Sequence, residues 1–186
     1  MSKVYVLFAE GFEEIEGLTV VDLMRRAGID VVMTSINLSD TVVKGARGIT
    51  ITTDISIENA IEEGDMVVLP GGMPGTTNLM NSAYVRDMVS NYYEAGKYVA
   101  AICAAPTVLS DLGILADKRA TSYPGMQASV KCAKYDDHSS VVVDGNVITS
   151  RGLGTAIDFS LKLIELLKDK ESADKIAESV VYKVAE

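Results

Sequence analysis

Cys103 lies in AAICAAP, where an apolar stretch meets a helix start with almost no chain between them. A cysteine at such an elbow is lifted above the edge of a sheet, as the nucleophile is in the α/β-hydrolase arrangement. The N–H groups that follow point toward the sulfur, and the helix dipole favours thiolate over thiol. Such a turn needs small neighbours, and Ala104 and Ala105 are small. Pro106 suits a first helical turn, where its missing N–H costs nothing. The plainer alternative is a buried cysteine that only packs.

Two further segments offer partners for that sulfur. Gly71-Gly72, after MVVLP, lets backbone approach a ligand closely and aims N–H groups at an anion. The Gly72 and Ala104 N–H groups together could form an oxyanion hole, the alternative being an ordinary strand-ending turn. Glu13, Glu14 and Glu16 open the first helix, and acids there answer the helix dipole, so two of the three need do nothing more. Glu16, one turn in and beside Ile15, is placed to turn inward toward the top of the sheet. Buried beside a thiolate it would have a raised pKa and donate a hydrogen bond. The predicted state near neutral pH is therefore a thiolate, titrating well below the free value of about 8.5, next to a protonated carboxyl.

Other chemistry is poorly served. No Lys-Ser/Thr follows GGMPG, so it is not a phosphate loop. Residues 151–155, RGLGT, lack the third glycine of a dinucleotide fingerprint and read as the start of a helix at Thr155. His138, in KYDDHSS, is off every motif and reads as a solvated turn residue. Cys132 sits among Lys131, Ala133 and Lys134 with no paired acid and no elbow, and reads as without function. No His/Cys/Asp cluster has metal spacing, so neither a metal nor another cofactor is expected.

The elements that must position these residues alternate. A buried strand over 4–9 leads into a helix of about 14–27, in which Ile15, Leu18, Val21 and Met24 follow helical spacing and Gly28 is the stop. A strand over 30–36 completes one βαβ unit, and 41–57 reads as a hairpin-like excursion. MVVLP runs into GGMPG and a helix over about 76–93, and YVAAI (98–102) runs into CAAP and another helix. A short strand RATSY, a helical piece around 125–134, a hairpin over 140–150 turned at Asp144-Gly145, an amphipathic helix from 155 and a last helix of about 172–183 follow. Apolar strands separated by helices predict a mainly parallel sheet covered on both faces. The expected fold is a flavodoxin-like three-layer α/β/α sandwich in one domain spanning 1–186. Its site belongs outside the carboxyl ends of the strands, where all three chemical loops fall.

Composition narrows the partners. The 186 residues are 48% hydrophobic and 23% charged, ordinary for a globular chain. Lys plus Arg is 17 against 26 Asp plus Glu, a net charge of −9 that repels phosphate backbones and anionic lipids. No apolar run approaches the ~20 residues of a membrane span, and the start reads as a first strand rather than a signal peptide. No nucleic acid, no membrane, a cytoplasmic setting and reduced cysteines are the expectations.

FAEGFEEIE, DLMRRAGI, VVLPGGMPG, AAICAAP and ITSRGLGTAIDF, in this order, resemble the ThiJ/PfpI superfamily, whose fold is class I glutamine amidotransferase-like. They are most similar to its small parkinsonism-associated deglycase branch. The resemblance covers nearly the whole chain. It implies that Cys103 is the reactive residue, Glu16 the buried acid that contacts it, and Gly72 and Ala104 the backbone donors. It also implies that Arg26 and Arg47 lie near the site at a dimer interface; alone, both read as solvated surface charges. A homodimer is expected from the resemblance and from the apolar residues on more than one face of the first helix. Two positions depart from the pattern. Peptidase-type members carry histidine right after the cysteine, where this chain has Ala104. The deglycase branch often has a histidine before a proline where ATSYPGM has Tyr123, a poor proton shuttle with a free pKa of about 10. Acid/base work then falls on Glu16 or water.

The resemblance implies a cofactor-independent cysteine enzyme acting on methylglyoxal-type 2-oxoaldehydes or their early protein adducts, of glyoxalase III or deglycase type. A shallow pocket of small residues is expected for so small a substrate. The alternative is a redox-responsive protective or chaperone-like protein, since the same N–H donors would hold an oxidised sulfur. An amidohydrolase or peptidase lacks its histidine and is the weakest reading.

Overall fold

The computed structural model describes residues 2–60 and 63–182. β1 (Lys3–Phe8) is followed by α1 (Glu14–Arg26) and β2 (Asp30–Ser35). A small antiparallel pair, β3 (Val42–Lys44) and β4 (Thr50–Thr52), precedes β5 (Ile55–Ser56). Then come β6 (Met66–Leu69), α2 (Gly75–Asn81), α3 (Ala83–Glu94), β7 (Tyr98–Ile102) and α4 (Pro106–Asp111). β8 (Arg119–Ala120), β9 (Lys134–Tyr135), β10 (Val141–Asp144), β11 (Val147–Ser150), α5 (Ala156–Leu167) and α6 (Lys170–Ser179) complete the order. The main sheet runs β10-β11-β7-β6-β1-β2-β5, parallel except where β10 returns beside β11.

Period-two alternation in β1 divides the core. Val4, Val6 and Phe8 pack on one face with Val20 and Met24 of α1 and Phe159 and Leu163 of α5. Tyr5 and Leu7 pack on the other with Val85 and Val89 of α3 and Leu109 of α4. Both faces are covered, which is what near-continuous apolar strands require. This is the three-layer α/β sandwich expected. The strand order reverses between β1 and β6, and the loops after β1, β6 and β7 meet outside the carboxyl ends there.

Several boundaries differ from expectation, each for a local reason. The helix expected over 76–93 is two helices, because Ser82 is extended and its hydroxyl accepts the Val85 N–H, starting α3 afresh. The piece expected to be helical over 125–134 is a 3-10 turn, Pro124–Ser129, after which Val130 is extended and β9 pairs with β8. RATSY contributes only Arg119–Ala120 as strand, since the Tyr123 N–H bonds the Cys103 carbonyl and draws the chain toward the site. The last helix starts earlier, at Lys170, with the Asp169 carboxylate accepting the Ser172 N–H, and ends at Ser179; the expected end at 183 lies outside the described residues. Among the described residues no helix is long and apolar enough to cross a membrane.

The face of α1 is also redrawn. Ile15, read from spacing as core, turns outward and is 49% exposed, whereas Leu18 is half-buried against the core and Glu14 and Glu16 are buried. Gly17 permits this, because a Cβ there would stand 2.6 Å from Phe8 Cε1 and 3.2 Å from Pro70 Cγ. Phe8 is fully buried and set edge-on against Phe12, so it has no room to yield. Gly17→Ala is expected to destabilise the fold by about 1–3 kcal/mol, the usual cost of overpacking, despite the better helix propensity of alanine. Denaturant unfolding checks this, and an unchanged midpoint would show that α1 does not need its close approach.

Candidate active site

Cys103 sits at the end of β7 with φ +66, a left-handed conformation rare for a residue with a side chain. It is held from both sides: its N–H donates to the Ser150 carbonyl at 3.0 Å, and its carbonyl accepts the Tyr123 N–H at 2.7 Å. Such a conformation costs about 1–3 kcal/mol and persists only where neighbours over-determine it. The half-buried sulfur faces the N–H groups of Ala104 and Gly72.

Glu16 reaches the same point from α1. Its Oε2 accepts the Gly71 N–H at 2.9 Å, and its carboxyl interacts directly with the Cys103 side chain. A Cβ on Gly71 would meet both the Cys103 Cβ and Glu16 Oε2 at 2.6 Å, so no side chain fits between them. The structure thus brings Cys103, Glu16, Gly72 and Ala104 together.

The two ionisable groups restrain one another. Burial, partly offset by the Cys103 and Gly71 hydrogen bonds, raises Glu16 to about 7. Burial pushes the Cys103 thiol up to about 12, and an ionised Glu16 contributes to that rise, against the pull of the Ala104 and Gly72 N–H groups. The expectation of a freely depressed thiol is thereby corrected: α4 behind the sulfur is only six residues long, and its dipole does not outweigh burial beside a carboxylate. Carboxylate and thiolate exclude each other, so near neutral pH the pair carries one negative charge and titrates as a unit. Two N–H donors face the sulfur, from Ala104 and Gly72, and two face the carboxyl, from Gly71 and Leu153. The proton of the pair is shared between acid and thiol, and attack by the sulfur leaves it on Glu16.

The neighbouring acids are busier than their position suggested. Glu14 is buried, and its Oε1 accepts the N–H of Arg47 at 2.7 Å, fixing the turn between β3 and β4 against α1. Glu13 lies 3.9 Å from the Arg47 guanidinium. Arg47 and Tyr123 line a cavity of about 330 Å³ with Cys103 at its base. Arg26 does not: it is ten residues along α1, paired with Asp22 at 2.7 Å, in a groove with Ile15, Leu18 and Val181. Met73, Met126, Leu153 and Ala46 also line the cavity. Sequence reasoning missed them, and the expected pocket of small residues is corrected accordingly. Met73 and Leu153 had a signal, each standing beside a glycine of a site loop.

His138 is 93% exposed by its side chain, beside Asp137, and far from any role here. Cys132 is half-buried, with its thiol pushed up by burial. Among the described residues no group of three or more His, Cys, Asp or Glu side chains is placed to hold a metal ion.

The pair predicts a pH profile. Alkylation of Cys103 should rise as the pH passes the first deprotonation of the pair. Glu16→Gln keeps a donor and should leave that midpoint close to wild type. Glu16→Leu removes the donor but not the burial, so the midpoint moves upward, by about 1–2 pH units for the loss of a charged hydrogen bond worth ~1–3 kcal/mol. Iodoacetamide rates against pH, read on the Cys103 peptide, decide it; equal profiles for the Leu variant and wild type would reduce Glu16 to a helix-dipole acid.

Comparison with known proteins agrees with this geometry. The family model described as the DJ-1/PfpI family matches residues 2–166. Protein dj-1beta of Drosophila melanogaster is 42% identical over 184 residues, covering 97% of this chain and 98% of the relative. The glutathione-independent glyoxalase DJR-1.2 of Caenorhabditis elegans is 32% identical over 177 residues, covering 94% and 93%. The solved structure of oxidised DJ-1 from Toxoplasma gondii superposes with a TM-score of 0.94 at 37% identity, covering 98% of this chain and 100% of that one. A buried acid against an elbow cysteine, in a chain alike from end to end, makes this protein a member of the DJ-1/PfpI family.

Proposed function

We propose that this chain is a cofactor-independent cysteine enzyme that converts methylglyoxal-type 2-oxoaldehydes, or their early adducts on protein side chains, to 2-hydroxy acids. The observation that carries this reading is the buried Glu16 carboxyl set against the Cys103 thiol, beneath the Gly72 and Ala104 N–H groups. The family's glutathione-independent glyoxalase from Caenorhabditis elegans supports it.

The steps follow from the groups present. The Cys103 thiolate adds to the aldehyde carbon, forming the C–S bond and sending the carbonyl pair to oxygen. That oxygen is held by the Gly72 and Ala104 N–H groups and takes the Glu16 proton. Glu16, now a carboxylate, removes the hydrogen of the same carbon as a proton. The electron pair passes to the neighbouring carbonyl as an enediol, and reprotonation at carbon 2 leaves a thioester. Water cleaves the thioester, releasing the 2-hydroxy acid and returning the thiol. Substrate plus water gives product, with no external oxidant or reductant. A base whose pKa is near 7 is matched to this work.

The same donors favour a second reading, a redox-responsive protein whose Cys103 is oxidised by peroxide and held as a sulfinate. The Toxoplasma gondii relative, solved in an oxidised form, supports it. Either role needs a thiol kept reduced between events, which points to a reducing compartment such as the cytoplasm.

Methylglyoxal and purified protein without glutathione should yield lactate, carrying solvent deuterium at carbon 2 when the reaction is run in D2O. Cys103→Ala should abolish it, and Glu16→Gln should lower kcat by about 100- to 10,000-fold, the range for loss of a general acid–base. Folded wild-type protein that makes no lactate would overturn the enzymatic reading and leave the redox one.

We further propose a homodimer through α1, supported by the exposed Ile15 and the groove it shares with Leu18, Arg26 and Val181. Sedimentation at micromolar concentration should give twice the chain mass, and Leu18→Arg should shift it toward the monomer; a wild-type monomer would refute the proposal.

A further inference from the structure

The cavity over Cys103 is lined by both charged and apolar side chains. Glu16, Glu13 and Arg47 are its charged members. Met73, Tyr123, Met126 and Leu153 are its large apolar ones. Met73, Tyr123 and Leu153 are 52%, 51% and 51% exposed, so three of the large apolar side chains left most open to solvent ring this one cavity. Scattered exposed apolar residues need no explanation, but a contiguous group at the mouth of a reactive site marks a binding surface.

These side chains come from different loops. Met73 follows β6, Tyr123 precedes the 3-10 turn after β8 and Met126 lies within it, and Leu153 follows β11. Their convergence is a product of the fold rather than of one apolar run. Tyr123 is held there by its backbone, since its N–H donates to the Cys103 carbonyl. Its ring edge lies 3.6 Å from where a Cβ on Gly152 would stand, and the Cys103 sulfur lies 3.9 Å from the same point. The aromatic wall therefore stands next to the nucleophile. Two methionines in the same lining, Met73 and Met126, offer flexible, polarizable surface that adapts to an irregular apolar group.

Size and charge point the same way. A three-carbon aldehyde leaves most of the 330 Å³ empty, whereas pockets from about 300 Å³ upward hold much larger ligands. Glu13 stands against the one cation in the wall, Arg47, at 3.9 Å, and the chain's charge of −9 disfavours anionic substrates on approach.

We propose that Met73, Tyr123, Met126 and Leu153 form a subsite for an apolar substituent, so that the preferred substrates are 2-oxoaldehydes bearing an aryl or branched alkyl group. The inference rests on the enzymatic reading above, which places the dicarbonyl on the sulfur and its substituent on this wall.

Two measurements test it separately. The first is the ratio of kcat/KM for phenylglyoxal to that for glyoxal, from initial rates. Wild type should favour phenylglyoxal, and the double variant Met73→Ser/Leu153→Ser should lower the ratio at least tenfold, the low end of what an apolar pocket discriminates. Leu38→Ser, an exposed apolar position elsewhere, should leave the ratio unchanged. The second needs no turnover: the rate of Cys103 alkylation by N-phenyl iodoacetamide relative to iodoacetamide, normalised to the same ratio on glutathione. It should exceed the free-thiol ratio by about tenfold in wild type and return to it in the double variant. An aryl preference in alkylation without turnover of either aldehyde would keep the subsite and remove the enzymatic reading. Turnover with no aryl preference in either assay would keep the enzyme and overturn the subsite. So would a double variant that loses its preference only together with a changed sedimentation coefficient, because the rim would then be an interface between copies.

Discussion

The Glu16 carboxyl, buried and held by the Gly71 N–H at 2.9 Å, is the interaction on which the rest of the site depends. A carboxyl taken out of water is stable only if it is neutral or well paired. Here it has the Gly71 and Leu153 N–H groups and one thiol, so its proton and the sulfur's charge are a single quantity. Everything adjacent serves that arrangement. Gly17 lets α1 lie close enough to Phe8 for the carboxyl to reach the sheet top, and Gly71 leaves no side chain between acid and sulfur. Cys103 accepts a left-handed backbone conformation so that its sulfur meets them.

The strain at Cys103 is distributed through backbone bonds. Ser150 at the end of β11 and Tyr123 beyond β8 each hold one peptide group of the elbow, so the nucleophile is tied to neighbouring strands. The turn between β3 and β4 is tied in a different way, by the Glu14 carboxylate accepting the Arg47 N–H. One helix start thus supplies two buried acids with opposite tasks, one for chemistry and one for architecture. Adjacent residues on a helix point in different directions, which is why Glu14 and Glu16 diverge while Ile15 between them faces outward.

Much of this was legible in the residues. Apolar strands bounded by glycine and small residues specify a parallel sheet, and the loops after β1, β6 and β7 then had to converge. The elbow at Cys103 followed from the absence of any loop between YVAAI and Pro106. What was not legible has a common physical origin. The outward turn of Ile15 violates the apolar spacing of α1, and periodicity alone does not register which apolar position faces solvent. The break at Ser82 rests on one hydroxyl choosing to cap, which helix propensity underweights. Burial of Glu14 depended on a hairpin more than thirty residues away.

The apolar wall is the clearest case of information that exists only in three dimensions. Met73, Tyr123, Met126 and Leu153 lie in segments with no shared period, so no window of sequence contains the surface they make. A nucleophile's first neighbours are set by backbone geometry and must be small, which is why Ala104, Gly71 and Gly72 read so clearly. The second ring faces the cavity rather than the backbone and is free to be large. Backbone geometry therefore constrains the first ring, while the second is left to side chains whose only common property is where the loops end. The Tyr123 ring, the Glu16 carboxyl and the Cys103 sulfur stand 3.6, 3.8 and 3.9 Å from the point where a Cβ on Gly152 would lie, so the aromatic wall, the acid and the thiol meet in one place. Apolar surface that close keeps water from the carboxyl, and a carboxyl short of water holds its proton up to about pH 7.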